Sequence, residues 1–462
     1  MVPRITAEIF CFSHQGAHFV YAPLRRLLLR VNLEAIEFIR ALNRNKFQEP
    51  IDSACTETLE ILRAIHLVDS EPDNSPVMED YFPFEPTEVT LFLTNQCNLR
   101  CIYCYASAGD MKPKSMKPLI GETAINTIVR NALKHNLGEI RLGFHGGGEP
   151  TLEWDLLVHL TTYCKKQAEI HGLSANISMA TNGILSDSQV DWIVNNLSGL
   201  NLSLDGPQPI QDYQRPFIDG TGSFDTVYRT AKRLDQFGFP YGIRCTVTDR
   251  SVTFLEEITE FIGTEFRCSY LHVEPVFECG RCRQASIYPP DGKIFVEHFR
   301  RARSIANEKK LKLVYSGMRA DVLTHRFCLA EGGAFCVTCD GDVTSCYEVT
   351  SRDDPLSKIF FIGQFNAQSK EFQFDTKRIA KLRRSKTLNA LPCKECFCKY
   401  HCAGDCLAKR LRSSEQCLDA SGGRCYINRE LTKDQLLEME EQACKGGKNN
   451  IGRSPSKAMD PY

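Results

Sequence analysis

Cys97-Asn-Leu-Arg-Cys101-Ile-Tyr-Cys104 is the stretch of this 462-residue chain that decides its fold and its chemistry. It follows the apolar, β-rich run EVTLFLT (88–94) and brings three thiols within eight residues. Cysteine thiolates are the ligands of [4Fe–4S] clusters, and three of them leave one iron open to a further ligand. A zinc knuckle is the alternative interpretation, but zinc normally needs a fourth Cys or His close by, and none is adjacent.

Outward from this loop, residues 87–310 alternate β-rich runs with longer helical stretches. After 88–94, the β-rich runs are IRLGFHG (140–146), NISMATN (176–182), LNLSLDG (200–206), YGIRCTVT (241–248) and LHVEPVF (271–277). Such alternation predicts an α/β fold with a parallel sheet and right-handed crossovers. Six units are too few for the usual eight-stranded barrel, so we expect a partial (βα)6 TIM-like barrel. Its active site should lie at the carboxyl ends of the strands.

Distinctive residues follow four of these predicted strands. Gly147-Gly148-Glu149-Pro150 follows the second strand, Asn182 ends the third, Ser203 and Asp205 end the fourth, and Arg244 lies on the fifth. Glycines allow a backbone to approach a ligand closely. Asn-Gly and Asp-Gly are also ordinary turn dipeptides, and Arg244 can equally form a structural salt bridge. The strand ends therefore predict a ligand site, with an ordinary turn or a salt bridge as the alternatives.

Together, these motifs resemble the radical S-adenosylmethionine (SAM) superfamily. Its CxxxCxxC signature has an aromatic residue before the last cysteine, here Tyr103, and its GGEP motif is matched by residues 147–150. The resemblance implies that Cys97, Cys101 and Cys104 hold a [4Fe–4S] cluster whose open iron binds SAM. Reduction by a donor such as flavodoxin or ferredoxin then cleaves SAM to a 5′-deoxyadenosyl radical. The SAM contacts implied are Tyr103, Gly147, Gly148, Glu149, Pro150, Asn182, Ser203, Asp205 and Arg244.

Residues 311–430 hold a second cysteine array. It reads Cys393-x2-Cys396-x5-Cys402-x3-Cys406, followed by Cys425 and preceded by Cys328 and Cys346. This spacing resembles the SPASM domain, which carries two auxiliary [4Fe–4S] clusters. The resemblance assigns one cluster to Cys393, Cys396, Cys402 and Cys425, and the other to Cys328, Cys346 and Cys406. The fourth ligand of the latter stays open between Cys279, Cys282, Cys336, Cys339 and none. A pair of zinc ribbons is the alternative, since CxxC pairs are common in zinc sites.

The first 82 residues form a separate block with two β-like runs and two helical stretches. The pattern resembles the winged-helix-like α+β domain that recognises precursor peptides, in which an Asn, here Asn32, begins a helix. In that family the leader peptide adds as a strand to the edge of a hairpin. A scaffold extension packed on the barrel is the alternative. The Pro- and Ser-rich linker at 70–86 marks the boundary.

Composition narrows the class of protein. A net charge of −1 gives no bulk attraction to nucleic acid or to anionic membranes. We find no apolar run of about 18 residues and no secretory signal, so we expect a cytoplasmic protein. Disulfides are rare in that compartment, so the 22 cysteines indicate metal or redox chemistry. Residues 431–462 are expected to form a polar tail, disordered at its end.

The combined resemblance implies an oxidoreductase of the ribosomal-peptide maturase type, related to sactipeptide and ranthipeptide maturases. It would abstract hydrogen from a C–H bond of a precursor peptide and form a thioether or another crosslink. An anaerobic sulfatase-type maturase, which makes formylglycine, is the second hypothesis; it shares the CxxxCxYCY opening but lacks the N-terminal block. A non-catalytic zinc scaffold is the third. The sequence identifies no catalytic base, modified residue, crosslink type or oligomeric state.

Overall fold

A computed structural model describes residues 3–43, 53–73, 83–384, 391–412 and 423–445 of the chain. The N-terminal block is an antiparallel sheet of three strands, in the order β1 (Phe10–His14), β2 (Ala17–Ala22) and β3 (Leu27–Val31). Helices α1 (Leu33–Asn43) and α2 (Ser53–Ala64) pack beside it. The Asn32 side chain accepts a hydrogen bond from the Ala35 amide at 2.8 Å. The predicted helix start at Asn32 is therefore confirmed.

The centre of the molecule is six parallel strands that neighbour one another in chain order. They are β4 (Glu88–Leu91), β5 (Glu139–Phe144), β6 (Ser174–Thr181), β7 (Gly199–Ser203), β8 (Tyr241–Val247) and β9 (Leu271–Pro275). The helices between them are α3 (Pro118–Lys134), α4 (Trp154–Ile170), α5 (Asp187–Asn196), α6 (Gln208–Gln214), α7 (Phe224–Phe237) and α8 (Leu255–Glu265). All six predicted βα units are present, so the α/β, partial-barrel prediction is confirmed.

Burial of apolar strand residues holds the helices against this sheet. Leu142, Ile177, Leu202 and Ile243 are at most 1% exposed and belong to one continuous core with the helices. Burying side chains of this size contributes roughly 1.5–3 kcal/mol each. Cys164 and Cys245, which have no partner at ligand spacing, are fully buried in this core, as small apolar residues would be. No helix of the described segments is long and apolar enough to cross a membrane.

The cysteine-rich region extends the same sheet on both sides. Strand β10 follows α9 (Cys282–Ala285) and α10 (Gly292–Glu308); β10 to β14 are Leu313–Val314, Cys336–Val337, Asp342–Thr344, Phe361–Asn366 and Glu371–Phe374. β10 pairs in parallel with β9, β11 pairs in parallel with β4, and β12, β13 and β14 follow β11 as antiparallel neighbours. The remaining helices are α11 (Ser357–Phe360), α12 (Thr376–Arg383), α13 (Leu391–Lys394), α14 (Lys399–Cys402), α15 (Leu407–Arg412) and α16 (Gly423–Lys445).

Helix α16 runs through the boundary predicted at residue 430. Leu431 and Leu436 on it are 1% exposed, and the Asp434 and Glu438 carboxylates pair with arginines of α10. The predicted polar tail of 431–462 is therefore corrected as far as residue 445, because this segment is part of a helix that buries Leu431 and Leu436 and packs against α10 through these ion pairs. Residues 446–462 lie outside the described part of the chain.

Candidate functional site

One cavity of about 350 Å³ opens at the carboxyl ends of the parallel strands. It collects residues from both cysteine arrays and from the strand ends that the sequence singled out. Its lining includes Cys97, Cys101, Tyr103, Cys104, Gly147, Gly148, Glu149, Asn182, Ser203, Arg244, Cys328, Cys346 and Cys406. Pro150 and Asp205 are not among the residues that line it. The two cysteine groups therefore face a common space.

The first cysteine loop presents its thiols to this cavity in a buried setting. Burial, together with the neighbouring thiols of the loop, raises the pKa of Cys97 to about 12 and that of Cys101 to about 11, although Arg215 lowers the latter. Asn182 Nδ2 lies 3.6 Å from Cys97 Sγ and donates to Asn98 Oδ1 at 2.7 Å. Lone thiolates are disfavoured there, whereas a cationic cluster that replaces their protons relieves the repulsion. The donor set thus fits an iron–sulfur cluster.

Glu149 ties the ends of two neighbouring strands together. Its Oε1 accepts hydrogen bonds from the Thr181 hydroxyl at 2.8 Å and from the Thr151 hydroxyl at 2.9 Å, and its Oε2 accepts one from the Asn182 amide at 2.8 Å. Burial raises the pKa of this carboxyl, while these donors lower it. Glu149 therefore fixes Asn182 beside Cys97 as well as lining the cavity.

Gly148 packs against the backbone that leads into the cysteine loop. A Cβ on Gly148 would lie 2.1 Å from the Gln96 carbonyl oxygen, and the Glu149 amide donates to that oxygen at 2.8 Å. The sequence predicted that glycine is needed here for close approach to a ligand. In the structure, the close approach at Gly148 is to the protein's own backbone, just before Cys97.

Asp205 is fully buried behind the cavity and holds other residues in place. Its carboxylate accepts hydrogen bonds from Gln214 Nε2 at 2.8 Å, from the Thr246 amide at 2.9 Å and from the Tyr103 hydroxyl. Arg215 Nε lies 3.0 Å from Asp205 Oδ2, as an ion pair without hydrogen-bond alignment. Asp205 thus positions Tyr103, which does line the cavity; a direct contact of Asp205 with SAM stays a prediction.

Arg215 is a site residue that the sequence reasoning missed. It follows α6 in a segment with no motif, and its Nη1 lies 4.0 Å from Cys101 Sγ. Its guanidinium also stands 5.2 Å from the centre of the Tyr103 ring. A buried positive charge is therefore held beside a cysteine that is expected to bind a cluster. Only proximity in the fold, and no local sequence pattern, identifies this residue.

The later cysteines separate into two groups. Cys328, Cys346 and Cys406 line the cavity, and burial raises the pKa of all three, to about 11 for Cys328. The other group, Cys393, Cys396, Cys402 and Cys425, is not part of the cavity lining. Within it, Cys402 and Cys425 interact electrostatically, as do Cys393 and Cys396. Among the described residues, no three His, Cys, Asp or Glu side chains are arranged so that they could hold a single metal ion. The feature that separates the two groups of cysteines is therefore whether they line the cavity.

Several known proteins are similar to this chain in sequence or in fold. Residues 91–262 match the family described as the Radical SAM superfamily. A cysteine-type anaerobic sulfatase-maturating enzyme of Clostridium perfringens is 26% identical over 167 residues, which cover 36% of this chain and 45% of that enzyme. The chain spans about half the length of the first curated relatives that it matches.

Two solved structures share the fold at low sequence identity. Native anSMEcpe with bound AdoMet matches with a TM-score of 0.60 and 18% identity, over 77% of this chain and 99% of that one. SuiB of Streptococcus suis, bound to its precursor peptide SuiA, matches with a TM-score of 0.53 and 15% identity, over 89% of this chain and 97% of that one.

Proposed function

This chain belongs to the radical SAM superfamily through its domain at residues 91–262, and from that premise we propose that it is a peptide maturase. It abstracts a hydrogen atom from a C–H bond of a ribosomally made precursor peptide and forms a thioether or another crosslink. Three [4Fe–4S] clusters are part of the proposal: one at Cys97, Cys101 and Cys104, and two auxiliary clusters in the SPASM domain.

The single observation that carries the proposal is the shared cavity. Its wall includes Cys97, Cys101 and Cys104 and also Cys328, Cys346 and Cys406. When bound, SAM and its cluster supply a radical that abstracts hydrogen, and the auxiliary clusters supply an acceptor for one electron. Joining carbon to sulfur removes two electrons and two protons from the peptide overall. A cavity that adjoins both cysteine groups suits a reaction in which these electrons leave in two steps.

The chain's own residues position the groups that line the cavity and make part of its surface apolar. Glu149 holds Asn182 beside Cys97, and Asp205 holds Tyr103 at the cavity wall. Tyr103, Phe277 and Phe327 give part of the cavity an apolar surface, which limits the access of water to a reactive intermediate. Arg244 also lines the cavity and supplies a positive charge for a carboxylate of a bound ligand.

The N-terminal sheet supports recognition of a peptide. Within the described ranges, no strand pairs with the outer edge of β3, and an extended peptide can add to such an edge through main-chain hydrogen bonds. The sheet is anchored to the SPASM domain, because the Tyr21 hydroxyl donates to His401 Nε2 at 2.6 Å. His401 Nδ1 donates to the Val322 carbonyl at 2.8 Å, and burial lowers the pKa of His401 to about 4, which keeps the ring neutral.

A sulfatase-type maturase is the second candidate, favoured by the C. perfringens relative and by the Cys101-Ile-Tyr-Cys104-Tyr105 opening. The extent of the structural similarity favours the peptide maturase. The anSMEcpe structure covers 77% of this chain, whereas the peptide-bound SuiB structure covers 89%. A fold that includes more of this chain supports a function in which the N-terminal block takes part.

The proposal is tested by anaerobic reconstitution with iron and sulfide, followed by incubation with dithionite and SAM. We expect 5′-deoxyadenosine and about twelve irons per chain, as three [4Fe–4S] clusters require. The Cys101→Ala variant should lose SAM cleavage and retain about eight irons, because the SPASM cysteines are untouched. Zinc without 5′-deoxyadenosine would establish the scaffold hypothesis instead.

A library of synthetic Cys-containing peptides then separates the two maturases. A thioether lowers the peptide mass by two hydrogens and leaves no aldehyde. Formylglycine replaces the sulfhydryl group with an aldehyde oxygen, which a hydrazide reagent labels. Cleavage of SAM with hydrazide-reactive products would therefore favour the sulfatase-type reaction over crosslink formation.

A further inference from the structure

We infer that Cys279 is the fourth ligand of the auxiliary cluster held by Cys328, Cys346 and Cys406; this rests on the proposed auxiliary clusters. The SPASM resemblance leaves that ligand open, with four surplus cysteines available. Of these four, Cys279 is the one that lines the cavity together with Cys328, Cys346 and Cys406, in the part of the chain that the structure describes. Glu348 and Lys409, which also line the cavity, act electrostatically on both Cys279 and Cys406, so the two thiols share two charged neighbours.

The other three cysteines, all among the described residues, do not line the cavity. Cys282 is fully buried in a small apolar cluster with Tyr103, Val276 and Ile287. Cys336 lies on β11, packed with Phe92 and Ala334; it interacts electrostatically with Cys328 but lies outside the cavity lining. Cys339 is partly exposed after β11 and does not contribute to the cavity lining.

The turn that carries Cys279 is fixed to the first cysteine loop. The Arg281 amide donates to the Cys104 carbonyl at 3.0 Å, and Arg281 Nη1 donates to the Cys101 carbonyl at 2.9 Å. Gly280 has a φ of +54°, and a Cβ there would lie 2.3 Å from the Cys104 carbonyl oxygen, so only glycine fits between the two segments. These contacts hold the backbone beside Cys279 against the first cysteine loop, at the wall of the cavity.

A [4Fe–4S] cluster with four cysteine ligands has no iron free to bind a substrate thiol. The crosslinked sulfur of the peptide would then not be a ligand of this cluster, whose role is limited to electron acceptance. As a ligand of this cluster, Cys279 would also connect the barrel to the SPASM domain at the wall of the cavity.

The experiment uses full-length chain in which Cys97, Cys101 and Cys104 are all alanine, so that the SAM-binding cluster is absent. This parent is loaded with iron and sulfide, reduced, and treated with [13C]cyanide, a ligand that binds an open iron. Electron–nuclear double resonance then detects 13C coupling. We expect no coupling in the parent and none after a further Cys282→Ala change, which serves as the matched control from the same CxxC pair.

A further Cys279→Ala change should either introduce 13C coupling or lower the iron content from about eight to about four per chain. Detection of 13C coupling in the iron-loaded parent would by itself overturn the assignment of Cys279, because it would show an open iron while Cys279 is present. An unchanged spectrum and iron content in the Cys279→Ala chain would overturn it as well. A parent that binds no iron would overturn the auxiliary clusters themselves, and this assignment with them.

Discussion

Replacing Gly148 with alanine tests whether the contact between two loops sets the geometry of the SAM site. A Cβ at this position would lie 2.1 Å from the Gln96 carbonyl oxygen and 2.7 Å from the Gln96 amide nitrogen. Both are backbone atoms, so no side chain can rotate away to make room. The Gln96 peptide lies directly before Cys97, and any displacement is therefore passed on to the first cysteine of the loop.

The size of the displacement follows from these distances. Ordinary van der Waals contacts of a Cβ begin near 3.4 Å, whereas the Gln96 carbonyl oxygen would lie only 2.1 Å away. The two loops must therefore separate by about 1.3 Å to restore an ordinary contact. Overpacking of this kind typically costs about 1–3 kcal/mol in the free energy of unfolding. The Glu149 amide would also lose its 2.8 Å hydrogen bond to Gln96. A misplacement of about 1 Å can lower a reaction rate by about 100-fold.

The assay is the rate of 5′-deoxyadenosine formation in reconstituted protein, measured with the dissociation constant of SAM. We expect Gly148→Ala to lose about 100-fold in this rate while iron binding by the SPASM cysteines is retained. Gly138→Ala is the matched control, because a Cβ there meets no described atom within 4 Å. Wild-type SAM cleavage by Gly148→Ala would refute the claim that this contact positions the site.

Two further substitutions test the charges around the cysteines. Arg215→Met removes the positive charge held 4.0 Å from Cys101 Sγ, so the reduction potential of the first cluster should fall in an EPR-monitored redox titration. Arg215→Lys keeps the charge and should therefore keep a reduction potential close to that of the wild type. Loss of the buried ion pair with Asp205 in Arg215→Met should also lower the free energy of unfolding by about 3–5 kcal/mol. An unchanged potential in Arg215→Met would contradict this role. Burial raises the pKa of Glu331 from 4.5 to about 7, and its Oε2 has no hydrogen-bond partner among the residues that the structure describes. The folded state therefore binds more protons than the unfolded state between these pH values, so wild-type stability falls as the pH rises through this window. Glu331→Gln should gain stability relative to wild type from about pH 4.5 to pH 7 and then hold a constant advantage of at most about 3 kcal/mol, measured by denaturant unfolding; an advantage that shrinks with rising pH would show that the sign is wrong.

Much of the fold could be predicted because strand and helix periodicity is local. The six parallel strands agree with runs that are read directly from apolar and β-branched residues, such as 176–182 and 241–248. The extension of the sheet was not predictable in this way. β11 is only two residues long, Cys336–Val337, and its pairing with β4 is a contact between segments more than 240 residues apart.

The candidate site was predictable to the extent that its residues occur in motifs. Cys97, Glu149 and Asn182 are found in or beside short patterns, and the structure brings them to one cavity. Asp205 was selected for the same reason, but it is buried behind Tyr103, because the motif marks a strand end and does not say which way the side chain points. Arg215 has no motif at all, and only the tertiary fold brings it to Cys101.

Sheet pairing explains why both cysteine groups can share one rigid site. β4 leads into Cys97; its neighbour β11 pairs with β12, and β12 leads into Cys346. The Phe92 amide donates to the Val337 carbonyl at 2.9 Å, and the Thr90 amide donates to the Phe335 carbonyl at 3.0 Å. Because backbone hydrogen bonds fix the register of these strands, the spacing between the two cysteine groups is set by the sheet and not by a flexible linker.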